Sequence, residues 1–97
     1  MKWYAYPASS SLDVGVEVRV IRFLLEEENI SIPTTNDTLI IEFPDNTRDS
    51  TPVLDASSNE LTVRVSEASW ILSLQDTPIR SHDGGLTLNY VVKSNAD

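Results

Sequence analysis

A chain of 97 residues with 40% hydrophobic and 23% charged residues is long enough to bury a core as one domain, and it lies outside the compositions of disordered proteins. It contains no cysteine, which excludes disulfides and thiolate metal sites and points to a reducing, intracellular setting. Seven basic residues against fifteen acidic ones give a formal net charge of −8, and this charge argues against direct binding to nucleic acid.

The distribution of apolar residues argues against secretion and against a membrane location. Residues 1–13 lack the apolar core of a signal peptide. No segment approaches the roughly 18 uninterrupted apolar residues of a membrane-spanning helix. We therefore expect a single domain over residues 1–97 that is intracellular and has no membrane partner.

The chain begins with a short aromatic segment. Trp3, Tyr4 and Tyr6 precede Pro7, and this pattern predicts an edge strand because proline cannot donate a hydrogen bond within a sheet.

Residues 14–25, VGVEVRVIRFLL, are the most hydrophobic segment, and valine occupies every second position as far as Val20. This alternation and the β-branched side chains predict a strand at the centre of the fold. After Val20 the apolar positions shift to Ile21, Phe23 and Leu25. The shift predicts a β-bulge near Val20 and Ile21.

The same segment also fits a helix, because Val14, Val18, Ile21 and Leu25 would lie on one helical face. A glycine near its start, the β-branched run and three glutamates at its C-terminal end disfavour this alternative. The alternative fold is α+β, with a helix over residues 14–28 packed on an antiparallel sheet.

The rest of the chain predicts short strands separated by turns. In order, these are a hairpin that brings in Ile30 and Ile32, a strand over 39–43, a long exposed loop over 45–50 and a short edge strand over 52–54. Residues 61–65 and 68–74 predict two strands joined by a tight turn, or one bent strand. The sequence SHDGG at 81–85 predicts a turn before a last strand over 86–92.

These patterns predict an all-β fold, namely a single antiparallel β-sandwich or partly open barrel of about six to eight strands with residues 14–25 central. The predicted core comprises Val16, Val18, Val20, Phe23, Leu39, Ile41, Leu61, Val63, Trp70, Leu72, Leu88 and Tyr90.

Few side chains suit catalysis or metal binding. His82 is the only histidine, which excludes a two-histidine mechanism within one chain. Asp45, Asn46, Asp49 and Asp55 offer oxygen ligands, but their spacing does not match an EF-hand calcium loop. The sequence therefore predicts a protein that is not an enzyme and that needs no metal or other cofactor.

The acidic residues are spread unevenly, because the span from Phe23 to Ile79 contains eleven acids and two bases and carries a net charge of −9. Such a surface can serve solubility alone, or it can steer a basic partner. The predicted partner-binding residues, which would form one negative patch, are Glu26, Glu27, Glu28, Asp45 and Asp49.

We therefore expect a non-enzymatic protein-binding or assembly module that docks on a protein partner with a basic surface. The first alternative is a small acidic inhibitor, phage-encoded or of the immunity type, that blocks a basic or nucleic-acid-binding partner, with imitation of nucleic acid as one way to do so. The second alternative is a sugar- or calcium-binding β domain, since the aromatic side chains could stack on sugar rings.

Overall fold

The computed structural model describes residues 2–22, 33–80 and 85–95. The described residues form eight strands and no helix. The strands are β1 Lys2–Pro7, β2 Glu17–Arg22, β3 Thr38–Glu42, β4 Arg48–Ala56, β5 Glu60–Val65, β6 Ala68–Leu74, β7 Ile79–Arg80 and β8 Leu86–Asn95. No helix that could cross a membrane occurs in these ranges.

Seven of the described strands close into a barrel. Their order around the barrel is β2-β1-β3-β4-β5-β6-β8, and β8 pairs back with β2. The short strand β7 adds to the beginning of β8. The all-β prediction is therefore confirmed, whereas a sandwich and a partly open barrel are both wrong, because pairing of β2 with β8 joins the two sides of the sheet.

One strand pair departs from the predicted antiparallel arrangement. Strand β1 lies between β2 and β3, and its pairing with β3 is parallel, with Trp3 opposite Leu39. Both edges of β1 are therefore hydrogen-bonded, and the predicted edge strand is wrong. Pro7 is compatible with this position because it stands at the end of the strand.

Strand β2 confirms the extended conformation of the central segment for residues 17–22, whereas the predicted strand is wrong for residues 14–16, because Val14 and Gly15 form a turn before β2. Val18, Val20 and Arg22 all point inward and are buried, while Ile21 faces the outer wall. The pairing of β2 with β1 and β8 runs without a register shift, so the predicted bulge is wrong. The helix over 14–28 is wrong for residues 17–22, and Phe23 and Leu25 lie outside the described residues.

The hairpin of β3 and β4 is tighter than predicted. The Asn46 N–H donates to the Phe43 carbonyl at 2.9 Å, and the Phe43 N–H donates to the Thr47 carbonyl at 2.9 Å. Strand β4 then begins at Arg48 and pairs with both β3 and β5. The predicted exposed loop therefore ends at residue 47 rather than 50, and residues 52–54 are a strand as predicted but not at an edge.

Strands β5 and β6 confirm that residues 61–74 form two strands joined by a tight turn and not one bent strand. Val65 pairs with Ala68, so that Ser66 and Glu67 form a two-residue turn. Both have positive φ, 55° and 65°, as a type I′ hairpin requires. The turn predicted over 81–85 and the hairpin predicted around Ile30 fall largely outside the described residues.

The barrel interior contains most of the predicted core. Val16 and Trp70 are only partly buried, and Phe23 lies outside the described residues. The buried hydrophobic residues are Trp3, Ala5, Val18, Val20, Leu39, Ile41, Phe43, Val53, Leu61, Val63, Val65, Leu72, Leu86, Leu88, Tyr90 and Val92. Large side chains thus fill the barrel, and the surfaces open to a ligand are its outer wall and its two ends.

Candidate functional site

Apolar and aromatic side chains form a row across the outer wall of the barrel. Ile79 pairs with Thr87, Thr87 with Ile21, Ile21 with Tyr4, and Tyr4 with Ile40. Neighbouring strands lie about 4.8 Å apart, so the row is about 19 Å long. We call these five residues the outer row. Ile79 is 54% exposed, and the other four are half-buried.

A groove lies beside the outer row, one step nearer the end of the barrel that carries the β3–β4 turn. Tyr6 pairs with Arg19, and Arg19 pairs with Asn89. The groove has a volume of about 600 Å³ and extends over these strands to Gln75 and Asp76, which follow β6.

Arg19 lies over an aromatic ring in this groove. Its guanidinium carbon is 5.5 Å from the centre of the Tyr6 ring, a cation–π distance. A cation–π contact uses no hydrogen bond, so the five N–H donors of the guanidinium stay available for a ligand.

Two other exposed cations, Arg48 and Lys93, form ion pairs within the protein. Arg48 Nε donates to Glu42 Oε2 at 2.7 Å, and this hydrogen bond raises the pKa of Arg48. Lys93 Nζ lies 2.8 Å from Glu60 Oε2. No such hydrogen bond or ion pair joins Arg19 to another of the described residues.

Two predicted partner-binding residues lie in the β3–β4 hairpin. Asp45 is exposed and accepts hydrogen bonds from the Thr47 hydroxyl at 2.6 Å and from the Thr47 N–H at 3.0 Å. These bonds, with the hydroxyl contributing most, lower the pKa of Asp45. Asp49 is half-buried and accepts the Ser50 N–H at 2.8 Å. Both carboxylates thus stabilise the local backbone.

The other three predicted residues, Glu26, Glu27 and Glu28, lie outside the described residues, as does His82. Arg22, the last described residue before the glutamates, lies at the end of the barrel opposite the β3–β4 turn. The single negative patch stays a prediction. For the calcium alternative, the described acidic residues include no group of three that could hold a metal ion.

A buried polar cluster inside the barrel was not predicted. Trp3 Nε1 donates to Asp37 Oδ2 at 3.0 Å, and the Thr34 N–H donates to the same oxygen at 2.9 Å. The Arg22 guanidinium carbon lies 5.8 Å from the centre of the Trp3 ring. Arg22 and Asp37 are only 3% and 7% exposed. The signal for Arg22 was available, because it continues the alternation of Val18 and Val20.

Comparison with known proteins gave no match to this chain, whether among protein-family models, curated proteins or solved structures.

Proposed function

We propose that the protein is a non-enzymatic protein-binding or assembly module whose outer row anchors a partner with a basic surface. The observation that carries this proposal is the register that aligns one residue from each of five neighbouring strands, namely Ile79, Thr87, Ile21, Tyr4 and Ile40. Aliphatic and tyrosine side chains that remain partly exposed can lose further apolar surface to a partner.

Closure of the barrel supports side-chain docking over strand addition. The seven barrel strands use both edges in pairing, and the described edge of β7 is only two residues long. A partner strand therefore finds little free backbone, and affinity must come from side chains on the wall.

Charge supports the choice of partner. The chain carries a net charge of −8, and two of its exposed cations, Arg48 and Lys93, are already paired with carboxylates. A field of this sign speeds association with a basic surface and repels an acidic one.

The test begins with capture of partners from the source cell and continues with surface plasmon resonance on the purified pair. We expect Ile40→Ser to weaken binding at least tenfold, because it removes an anchor from the row. The matched control is Ile71→Ser, which changes a half-buried isoleucine on the outer face of β6. Equal affinities of the two variants would contradict the proposed surface.

A second variant tests the acidic contribution separately. Replacing Glu26, Glu27 and Glu28 with glutamine should lower the association rate several-fold at low salt, and should reduce its dependence on ionic strength. An association rate that is unchanged at low and at physiological salt would assign these glutamates to solubility alone.

A further inference from the structure

The groove beside the outer row brings together several polar side chains that the described part of the protein leaves unused. The side chains of Glu17, Arg19, Asp76 and Asn89 line it, and none of these four side chains forms a hydrogen bond or ion pair with another described residue. Gln75 donates its amide N–H to the Ser73 carbonyl at 3.1 Å, which orients the amide and leaves its oxygen as an acceptor.

The unused groups combine donors and acceptors within one concave site. Arg19 supplies only donors, Glu17 and Asp76 supply only acceptors, and Asn89 supplies both. The three charged groups sum to a single negative charge, so the groove favours neither a strong anion nor a strong cation. A ligand whose groups each donate and accept fits this arrangement, and hydroxyl groups do so.

Shape and preorganisation point to the same class of ligand. A volume of about 600 Å³ lies within the range of small-ligand sites, about 300 to 1,000 Å³. Arg19 is held on Tyr6, so less conformational entropy is lost when its donors are used. Pro7 and Ala8 add apolar contact for the C–H faces of a sugar ring.

A peptide fits the groove less well. Strands β2 and β8 form its floor and are hydrogen-bonded to each other, so they offer no free backbone edge to an extended chain. We infer that the groove is a binding site for a short neutral saccharide, formed by Arg19, Asn89 and the carboxylates of Glu17 and Asp76. This site is separate from the outer row.

The test is an NMR titration of backbone amides with three neutral probes: maltotriose, cellotriose and triacetylchitotriose. We expect at least one probe to give saturable shifts confined to residues lining the groove, with a dissociation constant of about 1 mM. Asn89→Ala should weaken that binding about fivefold to tenfold, because it removes one or two hydrogen bonds. Arg19→Lys should weaken it similarly, since the planar fork is lost while the charge remains.

Two controls make the result specific. Thr62→Ala, on the outer face of β5, should leave saccharide binding unchanged, and so should Ile40→Ser in the outer row. The inference is overturned if none of the three probes gives saturable shifts, if Asn89→Ala binds as the wild type does, or if a trilysine peptide shifts the groove residues and the saccharides do not. Asn89 lies outside the outer row, so a failure to bind saccharide leaves the partner-binding proposal standing. A failure of the outer row to bind a partner likewise leaves the saccharide site standing.

Discussion

At the scale of single residues, Tyr90 shows how the barrel interior changes the chemistry of one group. Its side chain is 2% exposed, and burial raises the pKa of its hydroxyl. The folded-state pKa lies above the unfolded value of about 10. The stability that depends on a neutral Tyr90 hydroxyl is therefore fully present below pH 10. It is lost as the pH rises from that value toward the folded-state pKa.

We therefore expect the free energy of unfolding to fall above pH 10 by as much as about 1.4 kcal/mol per pH unit from this one proton. Urea unfolding of the wild type and of Tyr90→Phe at several alkaline pH values measures the effect. Other groups titrate equally in both proteins, so the difference isolates Tyr90. Parallel pH curves for the two proteins would show that this hydroxyl ionises as readily in the folded state as in the unfolded state.

The buried cluster shows why residue identity alone is a poor guide to burial. Asp37 accepts two hydrogen bonds, and Arg22 lies over the ring of Trp3, so each charged group has a specific contact in the interior. Buried charges are tolerated only with such contacts. The strand alternation placed Arg22 inward, but the apolar Ile21 next to it suggested a bulge. Only the contacts of Arg22 and Ile21 in the folded protein decide which of these two residues faces the interior.

At the scale of elements, the β5–β6 turn contains backbone strain that suitable substitutions should relieve. Ser66 and Glu67 both adopt positive φ, where side chains other than glycine and asparagine are disfavoured. The double substitution Ser66→Asn and Glu67→Gly should raise the free energy of unfolding by about 1 kcal/mol. The hydrogen bond from Arg64 to the Glu67 carbonyl uses the backbone, so it survives the change.

Equilibrium urea unfolding measures this gain, and Ser58→Gly in the β4–β5 turn is the control. Ser58 does not have positive φ, so glycine there should lower stability through added freedom of the unfolded chain. A double variant of the β5–β6 turn that is no more stable than wild type would mean that the turn holds little strain.

Two strands that the sequence predicted well, β5 and β8, have apolar residues at every second position, and β3 was predicted from a compact apolar run that ends at turn residues. Leu39, Leu61 and Leu88 in these strands are fully buried as expected. Strand β4 was predicted only over residues 52–54, as a short edge strand, because the polar residues before Pro52 suggested a loop. Pairing with a strand on each side overrides that local preference.

At the scale of the whole molecule, alternation cannot distinguish a barrel from a sandwich, because both give every strand one inner and one outer face. Closure depends on which strands are neighbours, and the contact of β2 with β8 joins segments far apart in the chain. The outer row and the groove depend on the same long-range register. The sequence showed Tyr4, Tyr6 and Arg19, but it could not show which outward residues lie side by side.

The overall charge leads to a prediction about salt. With a net charge of −8, the acidic residues repel one another. This repulsion is stronger in the compact folded state than in the unfolded chain. Raising NaCl from about 0.01 M to about 0.1 M shortens the Debye length from about 30 Å to about 10 Å. We expect the free energy of unfolding to increase by on the order of 1 kcal/mol, with an unchanged dependence on urea concentration.

The competing effect is the weakening of exposed ion pairs by the same salt, and the pair of Arg48 with Glu42 allows the two effects to be separated. Its side chains are 66% and 32% exposed, and pairs of this kind contribute little to stability. The double variant Arg48→Gln and Glu42→Gln removes the pair and keeps the net charge at −8. If repulsion dominates, this variant gains at least as much stability from salt as the wild type does. If the wild type instead loses stability with salt and the variant does not, surface ion pairs outweigh the net charge, and repulsion among the acidic residues is not a significant term in folding.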